Sequence, residues 1–300
     1  MLSFKPFTAQ AMLEMKPLLE LQSFKSCDYT LGGLFMWRDY FKQKYAIHDN
    51  MLIATADYLD RGLCYSFPVG RGSISSALFS IREDAAERGI PLRFCCVPSQ
   101  AVPELIRNLG EPVESVEYRD WEDYLYPYEN FLGYHGKKLV TPRNHCNRFI
   151  RDYPQYEYSP FDETSLAAAK AFLSESAGAF LKDSPIAREE YIRAIEILDH
   201  IKSFGFTGGI LSVDGKIIGL SVGEIIGDTL YVHIEKALTE YSGAYPMLAS
   251  LYARQNAAPE IRYINREDDS GDPGLRRSKT EYRPCALVEK YVVDFGLQNR

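Results

Sequence analysis

Nowhere do eighteen apolar residues run together, and the opening MLSFKPFTAQ has no charged stretch leading into an apolar one. Neither a membrane-spanning helix nor a secretory leader is expected, so the chain reads as soluble and cytoplasmic with no integral membrane segment. Cysteine is sparse: six, at 27, 64, 95, 96, 146 and 285, with no CxxC pair and no histidine at zinc spacing. That argues against a zinc site or a disulfide framework and for reduced, mostly buried thiols. Positive charge is in deficit, 34 Lys and Arg against 41 Asp and Glu, for a net charge of -7. A surface coated uniformly for nucleic acid, and DNA as a partner, are therefore not expected, although a local basic patch is. P-loop, GxSxG, HExxH and catalytic-cysteine patterns are missing too, which leaves covalent nucleophilic catalysis without support.

What is present is an ordinary globular composition rich in tyrosine, 21 of 300 residues. A tyrosine has a flat apolar face and a hydroxyl that seeks a partner when buried. The length exceeds what one core usually serves, so two domains are expected. The first half reads as an N-terminal helix over 8–22 capped by Thr8 and kinked or split at Pro17, and a hairpin over 42–56 turning at Asp49 and Asn50. A helix from Ser73 to Gly89, a buried strand IPLRFCCV, a short helix and one or two further strands follow. The second half repeats that order: helices near 162–177 and 187–203, three strands joined at Asp214-Gly215 and Gly227-Asp228, a helix, the strand EIRYIN, and a final strand ALVEKYVVDF. The expectation is α+β, with two domains of similar topology over 1–155 and 156–300.

Two stretches concentrate charge. The first, GKKLVTPRNHCNRFIRDYPQY at 136–156, puts Asn144, Arg148 and Arg151 on one helical face, with Arg143 and His145 close by. The second, INREDDSGDPGLRRSKTEYRP, carries Asn265, Arg266, Glu267 and Asp269, then a helix start at Asp272-Pro273. On that helix Leu275 is expected to face the core, while Arg276 and Lys279 share a face and Tyr282 follows. As a calcium loop the segment fails, because Pro273 stands where glycine is needed and Lys279 where the last carboxylate belongs. PVGRGSIS is an incomplete phosphate loop and reads as a turn. EYSGAYP offers Ser242, Gly243 and Ala244 as a loop where backbone could approach a phosphate.

Asn265, Arg266, Glu267, Asp269, Gly271, Gly274, Leu275, Arg276, Lys279 and Pro284 form a pattern that resembles the soluble C-terminal domain of phosphatidylglycerol lysyltransferases. RNHCNRF at 143–149 resembles that family's central basic motif. The resemblance spans nearly the whole chain and implies two tandem GNAT-like domains, each a mixed, largely antiparallel sheet flanked by helices, related to the Fem-type transferases. It also implies an aminoacyltransferase with an aminoacyl-tRNA donor, no required cofactor, no metal and no covalent intermediate. The proton would be handled by Glu267, Asp269 or Glu235. Asn265, Arg266, Arg276, Lys279 and Tyr282 would bind substrate, and Arg143, Asn144, His145 and Arg148 would meet the tRNA acceptor end, in a cleft between the halves. The membrane-embedded portion of the lipid-modifying members is not in this sequence. Two alternatives stay open: an N-acyltransferase using acyl-CoA, with its pyrophosphate at Ser242–Ala244 despite the adjacent Glu240, and a non-catalytic binding module of the same fold.

Overall fold

A computed structural model describes residues 2–58, 61–180 and 184–298. They form two compact units, 1–123 with 288–300, and 124–287.

In the first unit, β1 (Lys5–Pro6) precedes α1 (Ala9–Leu19) and α2 (Leu31–Trp37). Thr8 caps α1 by accepting from the Ala11 amide, and Met12, Met15 and Leu19 turn inward. Pro17 lies in the last turn, so it ends the helix soon after rather than splitting it. The hairpin of β2 (Lys44–His48) and β3 (Met51–Tyr58) turns at Asp49 and Asn50, whose φ of 48° and 59° suit a two-residue turn. Next come β4 (Gly62–Tyr65), β5 (Val69–Gly70), α3 (Ile74–Arg88), β6 (Pro91–Pro98), α4 (Val102–Leu109) and β7 (Glu114–Glu117). Ser73 caps α3 and left-handed Gly89 stops it, as the sequence predicts.

The second unit takes in β8 (Asp123–Pro127), α5 (Val140–Asp152), β9 (Tyr156–Pro160), α6 (Glu163–Glu175), α7 (Ala177–Phe180), α8 (Pro185–Glu196) and α9 (Ile201–Phe204). The antiparallel run β10 (Thr207–Val213), β11 (Lys216–Ile226) and β12 (Thr229–Ala237) leads to α10 (Ala244–Gln255), β13 (Tyr263–Asn265) and α11 (Pro273–Glu281). β14 (Ala286–Val288) and β15 (Lys290–Leu297) close the chain.

The sheets run β1-β2-β3-β4-β6-β15-β7, with β5 on β3, and β14-β8-β13-β12-β11-β10-β9. Each has a parallel neighbour pair, β4 with β6 and β12 with β13, among antiparallel ones. The class is α+β, with two mixed, largely antiparallel sheets flanked by helices, as expected. The division differs from a boundary at 155. β8 pairs antiparallel with β13, so residues from 124 onward belong to the second sheet. β15 pairs antiparallel with β6 and β7, so the chain end returns to the first. The run ALVEKYVVDF is accordingly two strands in different sheets, not one.

Six tyrosines are buried in the second unit's core, and several place their hydroxyls on backbone carbonyls far along the chain. Tyr126 donates to the Lys279 carbonyl at 2.9 Å and Tyr134 to that of Pro246 at 2.8 Å. Among the described residues, no helix is long and apolar enough to cross a membrane.

Candidate active site in the second unit

Parallel pairing between β12 and β13 lasts three residues, Thr229 with Tyr263, Leu230 with Ile264 and Tyr231 with Asn265. Beyond it β12 runs on to Ala237 while β13 ends, so the strands part. A small cavity of about 10 Å³ sits there, walled by Leu230, Val232, Ile264, Ala249 and Tyr252, with Glu235 and Arg266 as its polar members. This is room for about one water.

Arg266 is the first residue past β13. Its Nη2 donates to Glu235 Oε1 at 2.5 Å, and both side chains are largely buried. Its guanidinium carbon lies 4.6 Å from the Tyr282 ring centroid and 5.5 Å from that of Phe131, rings that stack on each other. Burial alone would discourage the charge, but Glu235 opposite more than compensates and holds the arginine above its ordinary pKa. Nη1 of the same guanidinium is buried with no hydrogen-bond partner among the described residues. Tyr282 is pushed up to about 12, first by burial and against the pull of Arg266, so its hydroxyl keeps its proton.

A bulge shapes the neighbouring strand. Val222 pairs with Ile234 and Gly223 with Val232, which leaves His233 as the extra residue on β12. Gly223 is needed there, since a Cβ would collide with the Tyr231 carbonyl. His233 is wholly buried and spans two carboxylates, with Nε2 2.9 Å from Glu224 and Nδ1 2.8 Å from Glu267. Burial disfavours its charge, yet hydrogen bonds to both carboxylates raise it to about 9, so it is an imidazolium at neutral pH. Glu267 adopts a left-handed φ of 58°, held by its amide donating to Asn265 Oδ1 at 2.7 Å. Its Oε1 faces His233, and Oε2 makes no hydrogen bond among the described residues.

The remaining predicted residues serve this loop. Asp269 is wholly buried, receives Arg276 through both oxygens, and accepts from the Tyr124 hydroxyl at 2.6 Å and the Gly271 amide at 3.0 Å. Burial would raise its pKa, but Arg276, then Tyr124 and Gly271, bring it down to about 2. Asp269 is thus a framework anion and a poor base, contrary to its expected part in proton handling. Lys279 Nζ donates to the carbonyls of Arg266 at 2.7 Å and Glu267 at 3.3 Å, and to that of Asp268. Arg276 and Lys279 therefore brace the 266–269 segment, where a direct contact to phosphate or oxyanion was expected. Asp272 caps α11 as predicted, but Leu275 is 43% exposed, because α11 buries none of its residues.

Asn144, His145 and Arg148 lie exposed on α5, while Arg143 turns back to the Tyr134 and Gly136 carbonyls at 3.0 and 2.9 Å. Arg283 reaches the Lys138 carbonyl at 3.3 Å, which joins the end of α11 to the start of the basic stretch. Ser242, Gly243 and Ala244 open α10, and Gly243 has a φ of 87°. The close approach this glycine permits is made by α5, whose His145 carbonyl would strike any added Cβ. Glu235, Arg266, Tyr282 and Glu267 thus gather around the parting strands, and α5 packs against α10 nearby. Sequence reasoning missed His233, Glu224 and Ser221, which sit in plain strand patterns. The signal was Gly223, a glycine inside a strand, the usual mark of a bulge.

Residues 20–294 match the family model for the C-terminal domain of phosphatidylglycerol lysyltransferase. A conserved protein of unknown function from Bacteroides thetaiotaomicron VPI-5482 is 30% identical, with a TM-score of 0.88 over 98% of this chain and 100% of that one. The C-terminal domain of a putative lysylphosphatidylglycerol synthetase from Agrobacterium fabrum shares the fold at 14% identity, with a TM-score of 0.67 over 96% of this chain and 92% of that one. FemX shares it at 9% identity, with a TM-score of 0.58 over 98% and 97%. An uncharacterized protein of Mycoplasmoides gallisepticum is 26% identical over 178 residues, 57% of this chain, and the match spans about half of that relative, 55%. The chain belongs to the phosphatidylglycerol lysyltransferase C-terminal family.

Proposed function

We propose that this chain is an aminoacyltransferase that moves an aminoacyl group from charged tRNA to an amine or hydroxyl acceptor without a covalent enzyme intermediate. The observation that carries this reading is the buried Arg266, paired with Glu235, with an Nη1 that has no hydrogen-bond partner among the described residues, on the wall of a small cavity where β12 and β13 part. A charged donor fixed in a dry site is what a developing oxyanion needs. The acceptor attacks the ester carbonyl, Arg266 stabilises the tetrahedral oxyanion, and the bond to the ribose oxygen then breaks. Glu267 Oε2 takes the acceptor's proton and passes it to the departing ribose oxygen, which leaves as the free tRNA hydroxyl. Exposed Arg148 on α5 supplies a phosphate contact for the acceptor stem.

The experiment is transfer of radiolabelled aminoacyl groups from a mixed pool of charged tRNA to small amines and to cell-extract acceptors, with Arg266→Lys beside the wild type. Loss of transfer by at least tenfold in a folded variant supports the reading. Acyl transfer from CoA thioesters with no use of charged tRNA would replace it with the acyl-CoA alternative, and no turnover with either donor would favour the binding module.

A further inference from the structure

Cys27, Asp28, Asp123 and Lys290 meet inside the first unit, and the reaction above uses none of them. Asp123 and Lys290 are wholly buried and Cys27 nearly so. Asp123 Oδ2 accepts from the Cys27 amide at 2.7 Å, while its Oδ1 accepts from Cys27 Sγ at 3.2 Å and from Lys290 Nζ at 2.7 Å. The same Nζ donates to Asp28 Oδ2 at 2.5 Å and lies 3.5 Å from Cys27 Sγ. Ion pairing accounts for the lysine and the two aspartates. It does not call for a thiol, which adds no charge to the pair and yet touches both of its members.

The other cysteines have blander surroundings. Cys64 donates to the Gly62 carbonyl at 3.7 Å and Cys285 to that of Leu125 at 3.4 Å. Burial pushes the Cys146 thiol up to about 12, and burial followed by the Asp28 charge raises Cys96, which meets the Tyr58 hydroxyl at 3.0 Å. Cys27 differs from these, because its sulfur meets a carboxylate that can take its proton and an ammonium that favours the thiolate. Such surroundings mark a reactive cysteine. A thiolate reacts with peroxide to give a sulfenic acid, whose sulfur is open to attack by a nearby nitrogen. Lys290 Nζ already stands at the outer edge of the about 3–3.5 Å that separates atoms poised to react. The Asp28 side chain is 31% exposed, so the cluster reaches solvent on that side, and hydrogen peroxide is little larger than water.

We propose that Cys27 and Lys290 form a modification site at which hydrogen peroxide creates a reversible sulfenamide crosslink between Sγ and Nζ. In the first step Asp123 takes the thiol proton and the sulfur attacks peroxide. The S–O bond forms, the O–O bond breaks, and the departing hydroxide leaves as water with the proton from Asp123. In the second step Lys290 releases a proton to Asp28, which passes it to solvent, and the free amine attacks sulfur. The S–N bond forms, the S–O bond breaks, and hydroxide takes a second proton from the nitrogen and leaves as water. Sulfur is oxidised by the two electrons that peroxide accepts. The crosslink lies apart from the transfer reaction and does not depend on it.

The test treats the reduced full chain with a small excess of hydrogen peroxide and follows intact mass, free thiols and tryptic peptides. Exposed Cys285 is replaced by serine throughout, so that its oxidation does not enter the mass. The protein should lose about 2 Da and one titratable thiol, yield a peptide joining Cys27 to Lys290, and recover on addition of dithiothreitol. Its melting temperature should rise while it is linked, since the bond ties residues 263 apart along the chain. Cys27→Ser, whose hydroxyl can still donate to Asp123, should show none of these changes. Lys290→Gln should stop at the oxygenated thiol without a crosslink. Loss of two thiols for each 2 Da would mean a disulfide, about 2 Da being the signature of either bond. That result overturns the proposal, as does a Cys27 that stays reduced, or carries oxygen while trypsin still cleaves after Lys290. These outcomes hold whether or not Lys290→Gln folds.

Discussion

Asp269 grips Arg276 with both carboxylate oxygens, at 2.9 and 2.8 Å, from a position with no solvent exposure. Removing the cation strands a buried charge, a change that typically costs about 3–5 kcal/mol. Arg276 is itself 39% exposed, so Arg276→Ala should fall near the lower end, about 3 kcal/mol. A drop of roughly 6–12 °C in melting temperature is expected at this chain size. A melt unchanged by the substitution would mean the pair is not a brace.

The same carboxylate gives an acid limb to stability. With a folded pKa of about 2 and an ordinary value near 3.9, Asp269 favours the folded state above pH ~4, and that contribution is lost as pH falls toward 2. Asp269→Asn should be less stable than wild type at neutral pH and should lose less on acidification, as read by denaturant midpoints between pH 5 and 2.5.

His233 gives an alkaline limb of opposite sign. Its folded pKa of about 9 exceeds the ordinary value near 6.5, so its bonds to Glu224 and Glu267 contribute fully below pH ~6.5 and fade as pH rises through 9. His233→Gln should be less stable at pH 6 and should flatten the decline between pH 7 and 9.5. The gap at pH 6 should be on the order of 3 kcal/mol. Parallel pH curves for the two proteins would show that the imidazolium is not what holds the carboxylates.

On α5 the exposed and the committed arginines should behave differently. Arg148→Ala should lower tRNA affinity and reduce the salt slope by about one, with little change in the melt. Arg143→Ala gives up two bonds to backbone carbonyls and should lower the melting temperature as well. Filter binding across a salt series checks the first claim and calorimetry the second.

Gly243→Ala should destabilise by about 2 kcal/mol or more, from left-handed backbone strain and the clash with His145. Thermal melting tests this. A variant that melts like wild type but loses CoA or tRNA binding would instead give the loop a ligand role.

The elements legible from sequence were those with local causes. Thr8, Ser73 and Asp272 announce their helices because a side-chain acceptor bonds amides two or three residues away. Asp49-Asn50 announces its hairpin because the turn needs positive φ at both residues. The charged segment at 264–284 was legible as a candidate through its motif, and the structure sets Arg266 against Glu235 and Glu267 against His233. Leu275 misled because a single apolar residue has no face; only the surroundings of α11 decide what it touches.

Legible in the sequence alone, therefore, were most of the helices and strands and the residues that carry the family's pattern. Tertiary structure decided which sheet each strand joins, since β8 and β15 find their partners through hydrogen bonds far along the chain. It also decided which charges are spent and which are left over. Asp269, Arg276 and Lys279 look as reactive in sequence as Glu235 and Arg266. Only the placement of distant partners neutralises the first three in bracing the loop and leaves Arg266 Nη1 without one among the described residues, because pairing of buried charges depends on proximity in space, which spacing along the chain does not encode.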